Sequence, residues 1–226
     1  MNRTGIEWTE YTWNPVTGCL HNCPYCYARA MTERFPKLFP MGFEPVLWPE
    51  RLQEPLKLKK PSKIFVCSMA DLFGAWVPDS WINQVFGVVE ASPVPHIFQF
   101  LTKNPERYHD FDLPQYAWYG TTVDSPAALD RIDHLRYISD VDPDVTFVSF
   151  EPLTELIEPD LSGIDLVIVG GRSAANGMPA VVPEKWWIQT IVDAARRAGA
   201  PVFVKDNAGV DPIWPREFPD LVEVED

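Results

Sequence analysis

Seven short apolar runs, rich in β-branched and aromatic residues, fall at 11–16, 63–66, 96–101, 117–120, 145–150, 166–169 and 202–204. Most of the gaps between them are long enough for a helix, and helical patterns fit 25–35, 79–90, 126–138 and 184–198. Strands that alternate with helices make a parallel sheet, because a parallel pair needs a long crossover. The run Leu166-Val167-Ile168-Val169 has no polar alternation, so it belongs to a strand covered on both faces. An open doubly wound sheet and a barrel both satisfy this pattern. Seven units in 226 residues match a barrel's economy of length. The expected fold is therefore α/β, a partial (β/α) TIM-like barrel of six to seven parallel strands.

With 46% hydrophobic and 23% charged residues, the chain can bury one large core without disulfides. One domain over 1–226 is the simplest organisation. Pro36, Pro40, Pro45, Pro49, Pro55 and Pro61 forbid a long helix, so 36–61 is expected to be a loop or lid. Pro212, Pro215 and Pro219 around Trp214 make 208–226 an expected irregular C-terminal cover. The first residues lack the pattern of a signal peptide and no apolar stretch is long enough to span a membrane, so a cytoplasmic location is expected. The net charge of -13 disfavours extensive contact with duplex DNA, unless Arg29, Arg34, Lys37 and the basic stretch 57–60 form a local patch.

In a parallel barrel the loops after the strands assemble the active site. Here every apolar run is followed by polar groups: three cysteines, then Ser68 and Asp71, Thr102 and Lys103, and Thr121, Thr122 and Asp124. The later runs lead to Ser149 and Glu151, to Gly170, Gly171, Arg172 and Ser173, and to Lys205, Asp206 and Asn207. Lys205 would stand at the barrel mouth with Glu151 and Asp206 available as charge partners, an ion pair that holds the rim together being the alternative role.

Cys19-Leu-His-Asn-Cys23-Pro-Tyr-Cys26 has the spacing CxxxCxxC. Three thiolates from one loop can hold three irons of a 4Fe-4S cluster and leave the fourth open to chemistry. Gly18 permits a tight turn after the first strand, Pro24 interrupts a helix through the ligands, and Tyr25 sets a ring beside the last one. A tetrahedral zinc site using these thiols with His21 or Cys67 is the alternative. It would make the chain a zinc-stabilised binding module. A Schiff-base lyase with Lys205 as nucleophile is a third reading.

The cysteine spacing, with an aromatic before the last cysteine, resembles that of the radical S-adenosylmethionine superfamily. More closely, Trp13-Asn14-Pro15-Val16-Thr17-Gly18-Cys19, Cys26-Tyr27-Ala28, Phe65-Val66-Cys67-Ser68-Met69-Ala70-Asp71-Leu72-Phe73, Leu101-Thr102-Lys103, Ser149-Phe150-Glu151-Pro152 and Val169-Gly170-Gly171 resemble the phage Gp37/Gp68-like family. The resemblance implies a 4Fe-4S cluster on Cys19, Cys23 and Cys26, with S-adenosylmethionine chelating the open iron. Reductive cleavage would then give a 5'-deoxyadenosyl radical that abstracts hydrogen from a substrate. It also implies a one-electron donor such as a flavodoxin or ferredoxin.

The superfamily binds the S-adenosylmethionine amino group with a Gly-Gly-Glu stretch after the second strand. This chain departs from it with Ser68-Met69-Ala70-Asp71, so Ser68 and Asp71 are the expected substitutes. Thr121, Thr122 and Asp124 are expected to meet the ribose or carboxylate, and Gly170 and Gly171 to let the backbone approach adenine. Cys67 alone cannot carry an auxiliary cluster and is expected to be core. Trp76, Trp81, Trp186, Trp187 and Trp214 are available for stacking, with core packing the default. The substrate stays open: a nucleotide or nucleic-acid base, a peptide or a small metabolite.

Overall fold

The computed structural model of the chain describes residues 1–138, 145–209 and 214–220. Its strands are β1 (Asn2–Arg3), β2 (Tyr11–Trp13), β3 (Val16–Thr17), β4 (Val46–Leu47), β5 (Lys63–Val66), β6 (Ile97–Thr102), β7 (Ala117–Thr122), β8 (Val145–Phe150), β9 (Leu166–Val169) and β10 (Val202–Val204). Its α-helices are α1 (Tyr27–Arg34), α2 (Asp79–Glu90), α3 (Arg131–Ile138) and α4 (Lys185–Ala198). Eight strands form one sheet in the order β1-β2-β5-β6-β7-β8-β9-β10. All neighbours are parallel except the edge pair β1 and β2. The seven parallel strands are the seven expected from the apolar runs.

Strand order equal to chain order has a consequence. Right-handed crossovers then place every helix on the same face, and the other face can be covered only if the sheet curls onto itself. Two apolar clusters divide the strands accordingly. Ile64, Val66, Phe98, Phe100, Tyr119, Val148, Phe150, Val167 and Val169 face the helices, where α2 contributes Ile82, Val85, Phe86 and Val89 and α4 contributes Ile188, Ile191, Val192 and Ala195. Phe65, Trp118, Val145, Phe147, Leu166, Ile168 and Phe203 face the concave side around Trp8. The Trp8 ring lies 4.7 Å from that of Phe65 on β5 and 5.8 Å from that of Phe147 on β8. These strands are three positions apart, roughly 14 Å across a flat sheet at about 4.8 Å per strand. One indole touches both because the sheet is strongly curved.

Four expected boundaries move. The first strand stops at Trp13 because Pro15 has no N–H for the ladder; Val16 and Thr17 turn out to pair antiparallel with Leu47 and Val46. The first helix begins at Tyr27 because Cys26 is its N-cap, with the Arg29 N–H donating to Cys26 Sγ at 3.5 Å. The expected helix over 126–138 is a 3-10 turn at Pro126–Ala128 followed by α3. The proline-rich stretch 36–61 contains β4 and two 3-10 turns, Pro49–Arg51 and Pro55–Lys57, each opened by a proline.

Of the C-terminal cover expected over 208–226, 210–213 and 221–226 lie outside the described residues. The part around Arg216 is more regular than expected, since Val204 N donates to Pro215 O and Glu217 N to Val202 O along the β10 edge. Arg196 clamps Glu217 with two 2.6 Å hydrogen bonds. Among the described residues no helix is long and apolar enough to cross a membrane.

Candidate active site

The loop after β2 is held in place by a glycine. Gly18 has φ +91°, and a Cβ there would stand 2.0 Å from Glu44 O, so only glycine lets this segment pass the Glu44-Pro45 backbone. Gly18 N donates to Met69 O and Cys19 N to Phe43 O, which fixes where the cysteine loop starts. Cys26 N donates to Cys23 O, closing the turn that leads into α1. Cys19, Cys23 and Cys26 are free and all line one cavity of about 440 Å³ at the C-terminal mouth of the sheet. That size is in the range of small-molecule sites.

Inward positions recur at every second residue, and near the mouth they turn polar. Trp118 is followed by Gly120 and Thr122, Phe147 by Ser149 and Glu151, and Phe203 by Lys205. The Lys205 ammonium donates to Glu151 Oε1, and Asn207 Nδ2 reaches the same oxygen at 3.4 Å. On the other side, Lys103 Nζ donates to Asp124 Oδ2 at 2.6 Å and to Tyr25 Oη at 2.8 Å, and Tyr25 Oη–H donates to Asp124. Burial opposes the Asp124 charge, but Lys103, Tyr25 and Arg131 outweigh it and hold the carboxyl below its ordinary pKa. Burial and then Asp124 push the Tyr25 phenol well above its usual range, so it stays a donor.

Asp71 is the hub of the mouth. Its Oδ1 accepts from Phe73 N at 3.1 Å and Thr102 Oγ1 at 2.5 Å; its Oδ2 accepts from Lys103 N at 2.9 Å and Asn104 Nδ2 at 3.1 Å, with His21 Nε2 at 2.8 Å. The buried carboxylate thus ties the end of β6 to the cysteine loop through His21. A short hairpin over 172–181 reaches across from the end of β9, and Asn176 Nδ2 at its tip donates to Cys26 O at 2.8 Å and Pro24 O at 3.3 Å.

Ten of the expected site residues line the cavity: Cys19, Cys23, Tyr25, Cys26, Ser68, Asp71, Thr122, Glu151, Gly171 and Lys205. Three have other places. Thr121 shares the outward parity of Tyr119 and gives its hydroxyl to Thr102 O at 3.0 Å, on the helix side of the sheet. Asp124 sits behind Tyr25 and Lys103. Gly170 leaves room for Glu151, whose Cδ would stand 2.8 Å from an added Cβ. At Gly171 the space is filled by Asn207 O and Val181 O, 2.3 and 2.6 Å from an added Cβ. Both glycines make room for the chain itself, and Gly171 also borders the cavity.

Of the two expected substitutes, Asp71 already accepts on both oxygens, whereas the Ser68 hydroxyl donates to Asn14 Oδ1 at 3.2 Å and keeps its own lone pairs to accept from a ligand. Cys67 is buried as expected, with its thiol pushed up to about 12 by burial, yet it borders the cavity. Trp187 and Trp81 pack on the core, while Trp186 is exposed. Sequence reasoning gave no role to Asn14, Asn104 and Asn176, whose amide groups help organise the mouth; Asn14 lies within a quoted motif, the other two outside any.

Three thiols supplied by one loop are a donor set that an iron-sulfur cube takes. Among the described residues no three His, Cys, Asp or Glu side chains converge closely enough to hold one metal ion. His21 Nε2 meets Asp71 Oδ2 at 2.8 Å, which leaves its Nδ1 as the ring nitrogen open to another partner. Burial, with Asp71, Cys23 and Cys26 nearby, pushes the Cys19 thiol up to about 12, although the His21 N–H favours the thiolate. Such a thiol loses its proton when a metal cation takes the proton's place.

Two solved structures share the fold. One is a variant of spore photoproduct lyase with a dinucleoside spore photoproduct; it matches at TM-score 0.60 and 13% identity, over 90% of this chain and 79% of that one. The other, a variant of the same lyase with bound AdoMet and the dinucleoside, matches at 0.55 and 12%, over 87% of this chain. The chain spans 63% of that second protein's length. No curated protein matches. A family model described as a protein of unknown function, DUF5131, matches residues 3–214, and the chain belongs to that family.

Proposed function

We propose that this chain is a radical S-adenosylmethionine enzyme, in which Cys19, Cys23 and Cys26 hold three irons of a 4Fe-4S cluster and S-adenosylmethionine fills the adjoining cavity. The observation that carries this reading is that three free thiols of one loop open together on a cavity at the C-terminal mouth of a curved parallel sheet. When bound, the cluster and S-adenosylmethionine would supply one-electron reductive cleavage and so the radical chemistry for hydrogen abstraction. The likeness to the phage Gp37/Gp68-like family is part of the same proposal, as are one domain over 1–226 and a reducing, cytoplasmic location.

The chain's own work is positioning and shielding. Asp71 and His21 lock the cysteine loop to the end of β6, and Asn176 ties the 172–181 hairpin over the loop. Thr122, Ser149 and the Glu151–Lys205 pair present the polar groups of the cavity floor to ligand. Phe43, Tyr27 and Leu101 wall the cavity against water. The substrate class we favour is a nucleotide or nucleic-acid base, on the likeness to lyase structures that hold a dinucleoside. The Schiff-base alternative is weaker, because the Lys205 ammonium is engaged by Glu151 rather than standing alone as an amine.

Anaerobic reconstitution tests the reading. The holoprotein should carry about four irons and four sulfides per chain, and on reduction turn S-adenosylmethionine into 5'-deoxyadenosine. Cys19→Ala, Cys23→Ala or Cys26→Ala should each remove both properties with little change in thermal unfolding. Zinc binding without iron, or cleavage that survives any of these changes, overturns it.

A further inference from the structure

We infer that the exposed face of α1, together with the turn that follows it, is the docking surface for an acidic one-electron carrier protein; this rests on the iron-sulfur reading above. Among the described residues ten large hydrophobic side chains are exposed, and six of them, Leu20, Tyr27, Met31, Phe35, Leu38 and Met41, fall within 20–41. Tyr27, Met31 and Phe35 follow one another at four-residue intervals, so they share one side of α1. Leu38 and Met41, in the turn that follows, are 67% and 58% exposed. Apolar residues scattered singly over a surface need no partner; six exposed within 22 consecutive residues, three of them on one helix side, mark an interaction site.

Charge names the class of partner. The same 20–41 segment carries Arg34 and Lys37 against Glu33 alone, in a chain whose net charge is -13, while Arg29 turns inward to Cys19 O and the Phe43 ring. The Arg34 guanidinium lies 5.4 Å from the Phe35 ring centroid, so positive charge rides directly on the apolar surface. Met, aromatic and Arg side chains are the composition of a protein interface. A single-stranded nucleic acid would call for stacked rings along a basic groove, whereas Leu20, Met31, Leu38 and Met41 are aliphatic. A second copy would set Arg34 and Lys37 against a like-charged patch. An acidic protein meets both the charge and the apolar surface.

Position names the partner's task. Leu20 lies between Cys19 and Cys23, and Tyr27 follows Cys26 while also lining the cavity. A protein seated here covers residues that adjoin all three thiols in sequence. One electron leaves the carrier, which is oxidised by one unit, and enters the iron centre, which is reduced by one unit; no bond is made or broken.

The test uses reconstituted holoprotein and a reduced flavodoxin as the probe, with bleaching of the iron-sulfur absorbance followed by stopped flow. Met31→Glu/Phe35→Glu/Leu38→Glu should slow flavodoxin-driven reduction about tenfold or more, while reduction by dithionite and iron content stay at wild-type values. Arg34→Glu/Lys37→Glu should slow it at about 50 mM salt and converge with wild type at about 0.5 M, where screening removes steering. Wild-type rates in the first variant overturn the proposal, as does a flavodoxin that fails to reduce wild type when dithionite succeeds. A wild-type dimer that these substitutions dissociate also overturns it, assigning the face to a second copy. If no cluster forms, or neither reductant bleaches it, the iron-sulfur reading fails and the docking surface falls with it.

Discussion

The two ends of the concave face are built from the same strands and do opposite things. Toward the strand starts the inward positions are Trp118, Val145, Phe147, Leu166, Ile168 and Phe203 packed around Trp8. Toward the strand ends, two or four residues later on the same parity, they are Thr122, Ser149, Glu151 and Lys205 facing the cavity. Packing density at the closed end fixes the curvature that brings the loops together; the ion pairs and thiols at the open end use that curvature without creating it. Stability and chemistry are thus separated along each strand by a few residues.

The sharpest way to break this division is to hollow the closed end. Phe147→Ala removes a fully buried ring from between Trp8 and the sheet and should cost about 3–5 kcal/mol in urea unfolding. The protein that remains folded should still carry a full complement of iron. Loss of iron in proportion to every folded molecule would show that the ends are not separable. Asp71→Ala should come next. It strips an acceptor from Phe73 N, Thr102 Oγ1, Lys103 N and Asn104 Nδ2, at a cost of about 2–3 kcal/mol, and it should also loosen the cysteine loop and lower iron retention. A smaller effect on unfolding is expected for Lys205→Met, about 1 kcal/mol, because the pair with Glu151 is partly solvated. Its larger consequence should be weaker retention of S-adenosylmethionine, roughly tenfold by equilibrium binding to the holoprotein. A stability loss rivalling that of Phe147→Ala would place Lys205 in the packing end.

How far the sequence foretold each end follows from the same physics. Strands at Lys63–Val66, Val145–Phe150, Leu166–Val169 and Val202–Val204 are where the apolar runs put them, since a strand buried on both faces leaves an uninterrupted signature. Helix α2 is likewise where its pattern begins and ends. The cysteine loop was legible as a motif because its residues are close in sequence. The strand-end positions Asp71, Thr122, Glu151 and Lys205 were legible too, but the links of Asp71 to His21 and Asn104, and of Asn176 to Cys26, were not, because they are tertiary contacts of long separation. One error was avoidable. Thr121 and Thr122 are adjacent polar residues, but two-residue periodicity from Trp118 already assigns Thr122 inward and Thr121 outward. The roles of Gly170 and Gly171 were not, since no local pattern announces which neighbour occupies the space of a missing Cβ.

The smallest expected effect concerns a residue at the closed end that no motif singled out. His96 lies just before β6, is 3% exposed, and has no full hydrogen bond on either ring nitrogen, its edge turned to the Phe98 ring at 5.9 Å. Burial lowers its pKa from the usual 6.5, only partly offset by the Pro55 backbone. The imidazole is therefore neutral in the folded chain at a pH where the unfolded chain already binds a proton. Stability from this group is complete above about pH 6.5 and is lost as pH falls through that value toward the lower folded pKa. Urea unfolding at about pH 7.5 and about pH 5.5 should show a larger loss for wild type than for His96→Phe, which has no proton to bind. Equal losses would mean that His96 does not stay neutral in the folded chain. Because His96 sits at the strand starts, iron content and the Glu151–Lys205 pair should be indifferent to the substitution, and a change in either would join the two ends that the fold keeps apart.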